Sequence, residues 1–418
     1  MLTDHAWTVP LDHDDPGGER IEVFAREVVA AGKAGTRLPW LLFLQGGPGF
    51  GGPRLSGRSS WLDAALDRYR VLLLDQRGTG RSTPVTRRGI AARGSAKEQA
   101  RYLSMFRADA IVADAELVRR ELTGGAPWSV LGQSFGGFCT VTYLSSAPEG
   151  LTEAFITGGL PGLTATADDV YRATYPRVRA KTLEHYARYP GDVEQARRVA
   201  RHLAGREVLR PDGGRLTVTA FQALGGMLGS STGGDELHYL LEGAFDGGRL
   251  ADAFLHDVYA RLSFATGPLY GALHEPCYAQ GAATRWSAQR IRAEFGEFDP
   301  GPALEGDEPL LFTGEMIYPW VFDDDPVLRP FKPAAEILAE RDDWPPLYDP
   351  ARLAANEVPA AAAIYFNDMY VPRELSLPTA GAIRGLRPWV TSEHEHDGLR
   401  VSNGAVLRRL IDLAQGLA

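Results

Sequence analysis

The sequence predicts an α/β fold, a mostly parallel sheet covered by helices, with a helical segment inserted late in the chain. Three observations carry this. Apolar runs of strand length alternate with helix-patterned stretches between residues 39 and 159. One strand–turn–helix junction, WSVLGQSFGGF at 128–138, holds a serine flanked by glycines. The pattern then changes to aromatic-rich helices from about 165 and reverts near 346.

Composition bounds the function. The 418 residues, 44% of them apolar, can bury a sizeable core. A net charge of −9 argues against a protein that tracks nucleic-acid phosphates. The N-terminus has no basic region followed by an apolar one, and no run reaches the roughly 18 apolar residues of a spanning helix. A soluble cytoplasmic protein is therefore expected, without a membrane partner. Cys139 and Cys277 form no disulfide framework and suit a reducing compartment. There is no HExxH and no Cys/His ligand cluster, so neither metal nor cofactor is expected.

The elements follow in order. Residues 6–30 read as opening β-structure around the turn Asp14-Asp15-Pro16-Gly17-Gly18. A strand from Pro39 to Leu44 runs into Gln45-Gly46-Gly47-Pro48-Gly49. Such a loop lets a substrate approach the backbone, and its N–H groups can act as oxyanion donors; taken alone it is an ordinary turn. Arg70 to Leu74 is the next strand, and the charges of Asp75 to Ser82 read as Arg–carboxylate ties between loops. Residues 97–122 carry a long helical pattern closed by Thr123-Gly124-Gly125. The strand Trp128–Leu131, a helix over 136–147 and a strand over 153–159 complete this part. After the insertion come the strands Ala360–Phe366 and Pro388–Thr391, then an amphipathic helix over 402–417. The expected division is 1–164 for the first part of the core, 165–345 for a helical cap inserted after the sixth strand, and 346–418 for the rest.

Gly132-Gln133-Ser134-Phe135-Gly136 fits the GxSxG elbow, which holds a serine Oγ clear of the backbone on a strained turn. Small residues two before and two after the serine let strand and helix pack closely. The N–H of Phe135 would point at a substrate carbonyl oxygen. An elbow serine needs a histidine and a carboxylate, which in this architecture follow it in the order acid, then histidine. Of nine histidines, two precede the sheet and five lie in the insertion. His394 and His396 remain, just after the last strand. Asp368, at the end of the strand AAAIYFND, is the expected acid; Asp397 lies too close to the histidines in sequence to come from a different loop.

QGGPG after one strand, DQRGTGRS after the next and GQSFGG at the elbow together resemble the proline iminopeptidases of the α/β-hydrolase superfamily. The opening VPLDH and the closing EHDGLR extend the similarity over most of the chain. The family has histidine where Gln45 stands, and the loop is expected to keep its backbone donors. The resemblance implies Ser134 as nucleophile, Asp368 as acid and, from the EHxGLR run, His396 rather than His394 as base. It implies an oxyanion hole of the Phe135 and Gly47 N–H groups, with Gly46 of the same loop against the substrate. It also implies that two cap glutamates in apolar settings, Glu275 in LHEPCYAQG and Glu315 in LLFTGEMIYPW, hold the substrate's α-ammonium. Salt-bridged or surface glutamates are the alternative. Cys277, two residues from Glu275, is expected beside that pocket, and Cys139 to be buried. The implied activity is release of N-terminal proline from peptides. An esterase or broader aminopeptidase on the same triad, or a binding protein without turnover, are the alternatives.

Overall fold

The computed structural model describes residues 1–55 and 60–417. Eight strands form one sheet: β1 (Leu2–Pro10), β2 (Arg20–Val28), β3 (Trp40–Leu44), β4 (Arg70–Leu74), β5 (Trp128–Gln133), β6 (Leu151–Thr157), β9 (Ala360–Tyr365) and β10 (Leu386–Thr391). Their spatial order is β1-β2-β4-β3-β5-β6-β9-β10. The first two make an antiparallel hairpin, and β2 meets β4 antiparallel. The other six run parallel, with Leu42 opposite both Leu72 and Val130, and Ala362 opposite Ile156. Two-residue strands β7 (Phe245–Asp246) and β8 (Arg249–Leu250) form a separate hairpin in the insertion.

Period-two alternation explains how one sheet fills two cores. Leu42, Leu44, Leu72, Leu74, Ala360 and Ala362 face one way, towards Phe138, Val141 and Leu144 of the helix Phe135–Ser146. Leu41, Phe43, Val71, Leu73, Ala361 and Ala363 face the other, towards Trp61 and the closing helix Ala405–Ala414.

Two helical expectations change in detail. The 97–122 pattern is two helices, Ala96–Ser104 and Ala108–Thr123. A Ser95/Glu98 capping box opens the first, and Gly124 in a left-handed conformation closes the second. The break lets Phe106 and Arg107 both turn inward, where Arg107 donates to the Ala279 carbonyl at 2.7 Å. The C-terminal pattern is a short turn of helix, Gly398–Val401, followed by Ala405–Ala414.

The insertion begins with the helix Ala167–Arg188, opened by a Thr166/Asp169 capping box. Its own core gathers Tyr171, Tyr175, Phe221, Phe254, Phe298 and Phe312. Leu269, Leu273, Phe322, Leu328, Phe331 and Leu338 instead join the core beneath the sheet. Among the described residues no helix is long and apolar enough to cross a membrane.

Candidate active site

Ser134 joins β5 to the helix Phe135–Ser146 at φ 55° and ψ −125°. A non-glycine residue in such a region stores about 1–3 kcal/mol of strain. Backbone hydrogen bonds hold it there: Ser134 N–H donates to the Thr157 carbonyl at 3.0 Å, and Gly137 N–H to the Ser134 carbonyl at 2.7 Å. The glycine spacing has a steric cause. A Cβ on Gly132 would lie 2.2 Å from the Gly136 carbonyl oxygen, and one on Gly136 would lie 2.0 Å from that of Leu44. No side chain fits at either position.

The Gln45–Gly49 loop passes over the serine. A Cβ on Gly46 would stand 2.9 Å from Ser134 Cβ. Among the described residues, the N–H groups of Gly47 and Phe135 donate to no protein acceptor. Gln45 is half-buried, and its carbonyl accepts from Gln76 Nε2 at 2.9 Å. Asp75 moors the far end of the loop through Gly52 N–H and the Arg54 guanidinium. Arg77 is fully buried on Asp114 and the carbonyls of Pro10, Leu11 and Met105. These charges tie loops together, as the sequence suggests.

Asp368 and His396 meet at the carboxyl edge of β9 and β10. His396 Nδ1 lies 2.7 Å from Asp368 Oδ2, both side chains buried. Asp368 Oδ1 accepts from the N–H groups of Tyr370 and Val371, so the carboxylate cannot rotate away from the ring. Burial alone would lower the imidazole's pKa. The Asp368 charge and hydrogen bond, with Glu315 adding, outweigh burial and raise it. Nε2 lies 3.4 Å from Gln133 Nε2, beside the serine; no Ser134–His396 hydrogen bond is formed among the described residues. Such pairs often tighten only with substrate bound. His394 instead stands edge-on to Tyr365, with ring centroids 6.4 Å apart. Asp397 faces Ser231 of the insertion.

A cavity of about 350 Å³ opens between insertion and sheet. Phe50, Tyr270, Tyr370, Leu224, Phe264 and Trp320 contribute to its largely apolar lining. Ser134 and His396 are not on its wall. Tyr370 connects the two, lining the cavity while its ring stands edge-on to His396 at 4.8 Å. Residue type gives Tyr370 no marked role in the sequence; its place two residues beyond Asp368 is the signal that points to it.

The two cap glutamates part company. Glu315 lines the cavity and accepts from Tyr270 OH at 2.7 Å. Glu275 is not on the cavity wall. Its carboxylate accepts from the backbone N–H groups of Ser287 and Ala288, at 3.1 and 2.8 Å, at the start of the helix Ser287–Arg292. Burial pushes its pKa up to about 7, the backbone donors notwithstanding. The two glutamates therefore do not share the wall of this cavity. Cys277 is not on this cavity either: it is buried like Cys139, its thiol donating to the His274 carbonyl at 2.8 Å.

Comparison with known proteins agrees with this architecture. Residues 39–241 match the alpha/beta hydrolase fold family. A proline iminopeptidase of Aeromonas sobria is 49% identical over 98% of this chain and 95% of its own. One of Aspergillus aculeatus is 37% identical over 97% of this chain and 92% of its own. A shorter match, 35% identical, joins 28% of this chain to 31% of a proline iminopeptidase of Xylella fastidiosa. With this identity along nearly its whole length, the chain belongs to the proline iminopeptidase family and is a hydrolase of the α/β-hydrolase fold.

Proposed function

We propose that the protein releases N-terminal proline from peptides, with Ser134 as nucleophile, His396 as base and then acid, and Asp368 as the orienting carboxylate. The observation that carries this reading is the His396–Asp368 hydrogen bond, at the same sheet edge as the strained turn of Ser134. His396 Nε2 takes the Ser134 proton as Oγ bonds to the prolyl carbonyl carbon. The N–H groups of Phe135 and Gly47 receive the oxyanion. Collapse breaks the peptide C–N bond, and the leaving amine takes the proton from Nε2. Water, deprotonated by the same ring, then adds to the prolyl ester, and Ser134 departs with that proton.

Glu315 is the carboxylate for the substrate's α-ammonium, because it is the expected glutamate that lines the cavity. Glu275 holds the cap together. The likeness to proline iminopeptidases across almost the whole chain supports proline as the released residue. Two buried free cysteines suit a reducing, cytoplasmic setting.

One observation favours a broader acyl preference as the second reading. A 350 Å³ cavity lies in the range of about 300–1,000 Å³ that takes drug-sized ligands, more than a pyrrolidine ring fills. The test compares kcat/KM for prolyl-, alanyl- and phenylalanyl-p-nitroanilides and a simple acyl ester. A proline preference of tenfold or more supports the first reading. Comparable rates on all three anilides support the second, and turnover of the ester alone overturns both.

A further inference from the structure

We infer that the cap positions the catalytic histidine, and that Ser231 and Asp397 form the latch through which it does so. The inference rests on the assignment of Ser134 and His396 above. The segment Glu395-His396-Asp397 is bonded to the insertion at every residue. Glu395 accepts from Lys181 Nζ at 2.5 Å, where Lys181 belongs to the helix Ala167–Arg188. His396 N–H donates to the Gly229 carbonyl at 3.2 Å. Asp397 accepts twice from Ser231: from its N–H at 3.1 Å and from its hydroxyl at 2.7 Å.

The loop that carries the acid is held by the same cap segment. Tyr370 OH donates to the Gly226 carbonyl. A Cβ on Gly229 would stand 2.2 Å from Tyr370 Cζ, so the segment is packed directly against that ring. Residues 226–231 thus lie between the Asp368 loop and the His396 loop and bond to both. Within its own loop, by contrast, the backbone hydrogen bonds around His396 among the described residues are short-range turns, such as Gly398 N–H to the Glu395 carbonyl.

Asp397 is therefore a positioning residue. It touches no reacting atom, and its carboxylate is directed at Ser231 and not at His396. Its effect is to keep the Gly229–His396 contact in register, which sets where Nε2 sits relative to Ser134. Reacting groups must be placed within a few tenths of an ångström, and a misplacement of about 1 Å costs on the order of a hundredfold in rate. Losing one of several cap contacts should have a smaller effect, on the order of tenfold.

The experiment uses Ser231→Ala, Ser231→Thr, Asp397→Asn and the double variant Ser231→Ala/Asp397→Asn. Active sites are counted by stoichiometric labelling with a serine-directed phosphonate, and kcat and KM are measured on a prolyl anilide. Ser231→Ala and Asp397→Asn should each lower kcat per labelled site by on the order of tenfold, with KM changed less than about threefold. Ser231→Thr, which keeps the hydroxyl, should recover most of the loss. The double variant should be little worse than either single one, because both break one latch. The rate of phosphonate labelling, which needs His396 but no proline, should fall in parallel. Unchanged kcat per labelled site, a loss confined to KM or to the fraction of labelled sites, or full additivity would overturn the inference. The underlying assignment fails differently: Ser134→Ala would then still take the label.

Discussion

Changing each cap glutamate to glutamine should give two different defects. Glu315→Gln removes the glutamate carboxylate from the cavity wall. Taking one partner from a desolvated ammonium–carboxylate pair costs about 2–5 kcal/mol, or roughly thirty- to several-thousand-fold in kcat/KM on a prolyl anilide. A neutral acyl ester has no ammonium and should be nearly unaffected on the pH plateau above the acid limb. Glu275→Gln should instead act on folding. The carboxyl's pKa is raised from 4.5 to about 7, so the folded protein binds this proton more tightly than the unfolded chain. That stabilisation is complete below 4.5 and is lost as pH rises through about 7. At about 1.4 kcal/mol per pH unit, the full difference is about 3 kcal/mol. Glutamine does not titrate there. Urea denaturation of both proteins should therefore show the wild type losing up to about 3 kcal/mol relative to Glu275→Gln between about pH 4.5 and 8. The reasoning is refuted if the stability gap is independent of pH while Glu275→Gln loses activity on the anilide alone. That outcome would return Glu275 to the amine site.

Ser134→Ala should fold normally and lose about three or more orders of magnitude in kcat, measured on the prolyl anilide with circular dichroism as the folding control. His396→Ala should be as severe, with His394→Ala much milder, because only His396 meets Asp368; the same kinetics check it. The acid limb of kcat/KM should lie above the ordinary imidazole value of 6.5, since the base must be neutral and its pKa is raised. A pH–rate profile on the neutral ester should show that limb moving to lower pH in Glu315→Gln, which removes one of the raising charges. Both thiols should react slowly with a thiol reagent until the protein unfolds, because both are buried and burial raises both pKa values; Ellman titration with and without denaturant reads this.

What could be read from the sequence was what has a local cause. The elbow was legible because contacts between Gly132, Gly136 and Leu44 forbid side chains at fixed spacing from the serine. The parallel strands were legible because burial on both faces leaves nearly continuous apolar runs. Two histidines two residues apart could not be ranked by pattern alone, because the cap decides which one turns inward, through the Gly229 carbonyl. The fate of Glu275 was hidden for a similar reason. Its partners are backbone N–H groups 12 and 13 positions away, and a backbone donor leaves no mark in residue type. The break at Phe106 and Arg107 was equally silent, since the helical period carries across it and distant groups, among them the Ala279 carbonyl and the Trp344 ring, receive Arg107.

The sheet's order bears on how the chain is made. β6 and β9 are neighbours, joined by the Thr157–Tyr365 hydroxyl pair, yet those residues lie 208 positions apart. During synthesis, β6 stands as an open edge until the whole insertion has emerged, and Leu269 to Leu338 cannot yet fill the core beneath it. An unpaired edge over an unfinished core invites pairing with another chain, and closing so long a loop slows the step that would protect it. The most exposed moment for this protein is therefore the interval before residue 360 is translated. Slower elongation ahead of that point prolongs the hazard, and a chaperone that covers the open edge shields it for that interval.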